Sequence, residues 1–200
     1  MAACLKLVAT RGYAGTSIKM ICREAGLNAS SLYWFFKNKE DLLGSAIRDA
    51  AEDFLAAAQL PLATPLLSPL DRQAEIGRIL AQELRNNARF LRLLLIIMLE
   101  ESDLPAMIRP QIIDIRARAL RWWRSLLHNQ FSALGETMAT LLANEFAPFC
   151  RAAINGAFIA QQSGEPLDIE MTVRQLFLLL SALKDKIARE AASPPKTRRS

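Results

Sequence analysis

One histidine, three cysteines and no long apolar run define this 200-residue chain by what it cannot do. A single histidine, His128, excludes an all-histidine metal site, and there is no His-x-x-x-His or Cys-x-x-Cys spacing. Cys4, Cys22 and Cys150 are odd in number and far apart, so they form no disulfide framework, and a reducing cytoplasm is the expected setting. No glycine-rich phosphate loop or nucleophile–base motif occurs, which argues against an enzyme; no cofactor is expected either. The longest apolar run, Leu93–Leu99, is far short of the roughly 20 residues that cross a bilayer, so it reads as a buried helix. Gly (8) and Pro (9) are too sparse for a loop-rich or all-β fold.

Leu and Ala dominate, and both favour helix. The expected fold class is all-α. The first helix ends at Gly12, the second starts behind Ser17 as cap and stops at Gly26, and the third runs from about Ala29 to Phe36 behind Asn28. Asn38 with Asp41 reads as a capping box for a fourth helix reaching about Leu60. Pro61, Pro65 and Pro69 mark a break. Helices are expected over about 71–84, 88–101, a long one to Phe131, one from Gly135 to Gly164 that Pro148 kinks, and one over about 168–191. The domain plan is 1–43, then 44–191, then a disordered basic tail, 192–200.

The net charge is +5, and its location is informative. Residues 1–43 carry six basic side chains (Lys6, Arg11, Lys19, Arg23, Lys37, Lys39) against three acidic ones. A helix, a glycine turn and a second short helix followed by a capped third is the helix-turn-helix order. In the third helix, Leu32 and Phe36 share the side that packs on Ile18, Ile21 and Ala25. Ser30, Ser31, Tyr33 and Trp34 then face outward, a small and polar front that a DNA groove accepts, with rings able to touch thymine methyls or sugars. Thr16, Ser17 and the free helix start form a natural phosphate clamp, and Lys19, Lys37 and Lys39 add positive charge.

These residues resemble the DNA-binding domain of the tetracycline-repressor (TetR) family. The shared pattern is Gly12-Tyr13, Thr16-Ser17, Ile21-Cys22-Arg23-Glu24-Ala25-Gly26 and Leu32-Tyr33-Trp34-Phe35-Phe36-Lys37-Asn38-Lys39-Glu40-Asp41-Leu42. The resemblance implies a three-helix DNA-binding domain followed by a helical ligand-binding and dimerisation domain. It implies phosphate contacts from Ser17, Tyr33 and Lys39, and places Asn28, Ala29, Ser30, Ser31 and Trp34 in or beside the groove. Cys22 replaces a usual alanine, and Phe35 stands where relatives often carry His or Tyr, so one phosphate hydrogen bond is expected to be missing. Members usually have a longer first helix behind a basic arm, whereas only eleven residues precede Gly12 here. Either residues upstream of Met1 supply that arm or DNA is bound with a reduced footprint.

The implied partners are a double-stranded DNA operator, a second copy of the chain and a largely apolar small-molecule effector. In the last helix Val173, Leu176, Phe177, Leu180, Leu183 and Ile187 form a helical stripe, and Ala153, Gly156, Ala157 and Ala160 of the helix before it permit close approach. The resemblance makes these the dimer interface. Candidate polar groups for the effector are Asn87, Glu100, Arg116, Trp123, His128, Asn144 and Asn155. Arg118, Arg121 and Arg124 read as a solvated face. The expected function is a ligand-responsive repressor that binds a palindromic operator; the rival is a helical interaction or sensing module with weak or lost DNA binding.

Overall fold

The computed structural model describes residues 1–59, 69–99 and 106–192. The proline-marked break at 61–68 and the basic tail from 193 onward lie outside them. Among the described residues the chain forms nine α-helices and no strand: α1 (Ala2–Arg11), α2 (Ile18–Ala25), α3 (Ala29–Phe35), α4 (Lys39–Gln59), α5 (Pro69–Asn86), α6 (Ala88–Leu99), α7 (Ile108–Phe131), α8 (Glu136–Gln162) and α9 (Ile169–Ala192).

Local chemistry sets the early boundaries. Ser17 Oγ accepts from the Met20 amide, and Asn28 Oδ1 accepts from the Ser31 amide at 2.7 Å, so both short helices begin on a side-chain cap. Gly26 ends α2 in the left-handed region, at φ +67°. At α4 the Asp41 amide donates to Asn38 Oδ1 at 2.8 Å, while the Asp41 carboxylate accepts from the Lys37 amide at 3.0 Å. Pro110 falls in the first turn of α7, where a missing N–H leaves no helical acceptor unsatisfied. The α8 helix continues through Pro148.

The chain divides into two compact units. The first comprises residues 1–59 and 82–119, which hold α1 to α4, the end of α5, all of α6 and the first half of α7. Its core is one apolar cluster. Cys4, Leu7 and Val8 of α1 join Leu42, Leu43, Ala46 and Ile47 of α4, Phe90, Leu93 and Ile97 of α6, and Ile108, Ile112 and Ile115 of α7. Ile21, Cys22 and Leu32 attach α2 and α3 to the same cluster, with Ile18 and Phe36 packed against it. Ala25, expected in that packing, is exposed instead, at the last position of α2. An ion pair and a close approach hold α7 beside α4. Arg118 donates to both oxygens of Glu52, at 2.5 and 2.8 Å, which removes it from the solvated arginine face expected of it. Gln111 lies where a side chain at Gly44 would stand, its Nε2 2.8 Å from such a Cβ.

The second unit comprises residues 60–81 and 120–200. Trp123, Leu126, Leu127 and Phe131 of α7 pack with Ala139, Ala143, Ala147, Cys150, Ile154 and Phe158 of α8 and with Ile169, Val173 and Phe177 of α9. Gln73 donates to Gln130 at 3.3 Å, and Gln130 donates to Ser181 Oγ at 3.0 Å, a polar chain across α5, α7 and α9.

Burial pushes the Cys4 and Cys150 thiols up to about 11, so both are protonated and inert in the folded chain. Ellman's reagent at about pH 8 is expected to modify neither until the chain unfolds; rapid reaction of the Cys4 thiol in native buffer would contradict the packing of α1. Because α6 shares the core of α1, Leu93→Ala should cost about 2–5 kcal/mol and lower the denaturant midpoint of α1 together with that of α6. A loss confined to α6 would contradict a single core.

Candidate DNA interface

The outward surface of α3 follows from a short helix held at three points. Leu32 is buried, Phe36 is half-buried, and Asn28 caps the start of α3. At about 100° per residue the opposite side then belongs to Ser30 and Trp34, with Tyr33 on one flank and Ser31 and Phe35 on the other. The exposures agree: Trp34 is 87%, Phe35 80% and Tyr33 56% exposed. Ser30 is exposed and Ser31 half-exposed, while α3 itself has no charged side chain. An open groove of about 540 Å³ between α2 and α3 is lined by Ile18, Lys19, Cys22, Arg23, Leu27, Ala29 and Tyr33. Lys19, Arg23 and Lys37 are exposed around this front. The surface is therefore cationic at its margin, with hydroxyls and rings at its centre, which suits phosphates outside and base edges within.

Two residues expected at this front work inside the fold instead. Thr16 is only 1% exposed and its hydroxyl donates to the Gly12 carbonyl at 2.9 Å, so it closes the turn between α1 and α2 and has no surface to offer DNA. Lys39 Nζ donates to the carbonyls of Tyr13 and Thr16, at 2.8 and 2.9 Å, and sits 3.8 Å from the centre of the Tyr13 ring. It thereby staples the α1–α2 turn to the start of α4. Tyr13 is pinned in turn. Its hydroxyl points to Glu40 at 3.5 Å, and burial, reinforced by that carboxylate, pushes its phenol above the ordinary value. Ser17, Lys19, Asn28, Ala29, Ser30, Tyr33, Trp34 and Lys37 remain exposed on the helix-turn-helix. Glu24, the acid on α2, is neutralised by an ion pair with Lys6 of α1. Phe35 is a surface residue that sequence reasoning misses as part of the front. The available signal is that three successive aromatics in a seven-residue helix are more than one core-facing side can accept.

Residues 1–46 match the family of bacterial regulatory proteins, tetR family. The likeness to that family rests on this N-terminal segment, under a quarter of the chain. Solved structures share the fold over nearly the whole length. The TetR family transcriptional regulator PfmR from Thermus thermophilus is 19% identical, with a TM-score of 0.65 over 91% of this chain and 98% of that one. The fatty acid degradation regulator FadR from Bacillus halodurans is 16% identical, with a TM-score of 0.68 over 90% and 91%. A TetR-family regulator from Bordetella parapertussis is 23% identical, with a TM-score of 0.62 over 88% and 91%. The match of residues 1–46 supports a DNA-binding segment, and the structures show a shared fold. Among the described residues no helix is long and apolar enough to cross a membrane, and no three His, Cys, Asp or Glu side chains cluster to hold a metal ion.

The polar residues considered for an effector are divided between the two units. In the first unit, Asn87 donates to the Glu83 carbonyl and carboxylate, both at 3.1 Å, which makes it a joint between α5 and α6, and Arg116 is exposed. In the second unit, Trp123 is buried edge-on to Trp122 at 5.0 Å, and His128 Nε2 lies 3.1 Å from Glu136 near the end of α7. Asn144 is exposed and Asn155 half-buried on α8. Glu100 lies outside the described residues.

The two lysines of this site should separate in experiment. Lys37→Ala, at an exposed position, should weaken DNA binding and reduce the slope of log K against log salt by about one per phosphate contact, with thermal stability unchanged. Lys39→Met should lower both Tm and DNA affinity, because the turn it staples loses two hydrogen bonds. Equal melting temperatures for Lys39→Met and the native protein would refute the staple.

Proposed function

We propose that this chain is a dimeric repressor that binds a palindromic operator through α3 and is released by a small-molecule effector. The observation that carries the DNA-reading part is the outward face of α3: two hydroxyls and three exposed aromatics, without a charge of their own, framed by Lys19, Arg23 and Lys37. Residues 1–43 serve as the reader, and the helices from 44 to 191 serve pairing and effector control. One such reader spans too few bases to be selective; two related by a two-fold axis read half-sites about 34 Å apart, hence a palindrome.

Pairing is supported by the apolar surface that the second unit leaves uncovered. Val173, Leu176, Phe177 and Leu180, the stripe expected from sequence to be the interface, are buried within the chain, as are Ala157 and Ala160. Ala153, Leu183 and Ile187 are half-buried. The uncovered stripe lies one position round each helix. On α8 it comprises Leu141, Phe149, Ala152, Gly156 and Ile159; on α9 it comprises Met171, Leu178 and Leu179, the last 67% exposed. Gly156 sits in the interior of α8, and among the described residues nothing outside its own stretch of helix comes within 4 Å of where its Cβ would be. Glycine costs a helix interior about 1 kcal/mol relative to alanine, and this fold supplies no reason for it. Close approach by a second copy does supply one.

An effector that releases DNA must favour the released arrangement by several kcal/mol to switch occupancy strongly. In this reading the effector acts through the helices from 44 to 191.

Light scattering at micromolar concentration should give twice the mass of the chain, and Leu179→Glu or Gly156→Leu should give the monomer with helix content retained. A native monomer would refute the pairing. A duplex selected from a random pool should be bound with a two-fold symmetric footprint; failure to enrich any sequence at low salt would favour an interaction module without DNA binding.

A further inference from the structure

We propose that Trp34 and Phe35 form an apolar reading surface for the 5-methyl groups of thymine, so that methyl-bearing positions within each half-site determine which operators this chain selects. The assignment rests on the DNA-reading function above and narrows its substrate to a chemical class of sequence. The side of α3 that packs inward is fully used by Leu32 and Phe36. Trp34 stands opposite Leu32, and Phe35 is the next residue round the helix. At 87% and 80% exposed, neither ring fills the core. The Phe35 ring is tilted against that of Phe36, with centroids 6.5 Å apart.

Two large apolar rings at successive positions of one short helix, both in water, are costly unless a partner covers them. The charge around them identifies the partner. Lys19, Arg23 and Lys37 are exposed nearby, Glu24 is paired with Lys6, and Asp41 accepts from a backbone amide. This margin fits a polyanion and opposes a basic or purely apolar surface. Within the major groove the base edges present hydrogen-bonding groups and one apolar group, the thymine methyl. Phe35 has no hydrogen-bonding atom, so desolvating it gains nothing from a phosphate or a polar base edge. It gains from a methyl. Trp34 has a single donor and otherwise the same preference. A histidine or tyrosine at position 35 could bond a phosphate in any sequence; phenylalanine exchanges that sequence-independent contact for one that depends on the base.

The test uses the full-length protein and a duplex selected from a random pool, with each thymine replaced in turn by deoxyuridine, which removes only the methyl. Fluorescence anisotropy should show one or two positions per half-site at which uracil weakens binding about four-fold per methyl lost. Phe35→Ala and Trp34→Ala should fold normally, bind the thymine duplex more weakly by a similar factor, and be indifferent to uracil at the position each one covers. Specific binding with no uracil effect anywhere, or with a uracil effect that persists in both variants, overturns this assignment and leaves the DNA-reading function intact. Sugar contacts by the rings would give that result. Absence of any sequence-specific binding overturns both.

Discussion

The shared burial of one face of α1 governs the N-terminal half of the structure. Cys4, Leu7 and Val8 are wedged into a cluster built from α4, α6 and α7, and α2 and α3 reach the same cluster through Ile21 and Leu32. A seven-residue helix such as α3 has too few intrahelical hydrogen bonds to be stable alone. It persists because Leu32 and Phe36 are anchored and Asn28 caps it. The anchoring leaves no inward space for Trp34 and Phe35, so the surface that can read a groove follows from the packing beneath it. Removing apolar area from α6 is thus a change to the seat of α3, although the two do not neighbour each other in sequence.

Polar contacts then fix what hydrophobic packing leaves loose. Lys39 closes the α1–α2 turn with two hydrogen bonds and a ring contact, and Thr16 closes it from the other side. Arg118 and Glu52 join α7 to α4 through a bidentate pair that is partly open to solvent. The guanidinium holds the Glu52 carboxyl below the ordinary carboxylate range. A depressed folded-state value means that this contact is complete above the ordinary range and is lost as acid protonates Glu52. Being exposed, the pair is better suited to setting the register of α4 against α7 than to supplying much stability.

Much of this is legible in the sequence where the controlling chemistry is local. Ser17, Gly26, Asn28 and the Asn38–Asp41 pair act within four residues, and the boundaries of α2, α3 and α4 follow them closely. Partners distant in sequence are not legible. Lys39 carries a charge that suits a phosphate, yet its acceptors lie 23 and 26 residues upstream, and Arg118 meets an acid 66 residues away. The α9 stripe shows a third limit. Periodicity finds the most apolar face of a helix, and here that face, Val173 to Leu180, covers the chain's own core. Leu178 and Leu179 lie round the helix from that face, and only burial tells which of the two apolar faces the chain itself covers.

Hydrogen–deuterium exchange with and without a duplex selected from a random pool tests the central claim, that α3 seated on this core is the DNA reader. The account predicts slower exchange confined to residues 16–37, with α8 and α9 unchanged by DNA. Protection of α8 or α9 with none in α3 would contradict it.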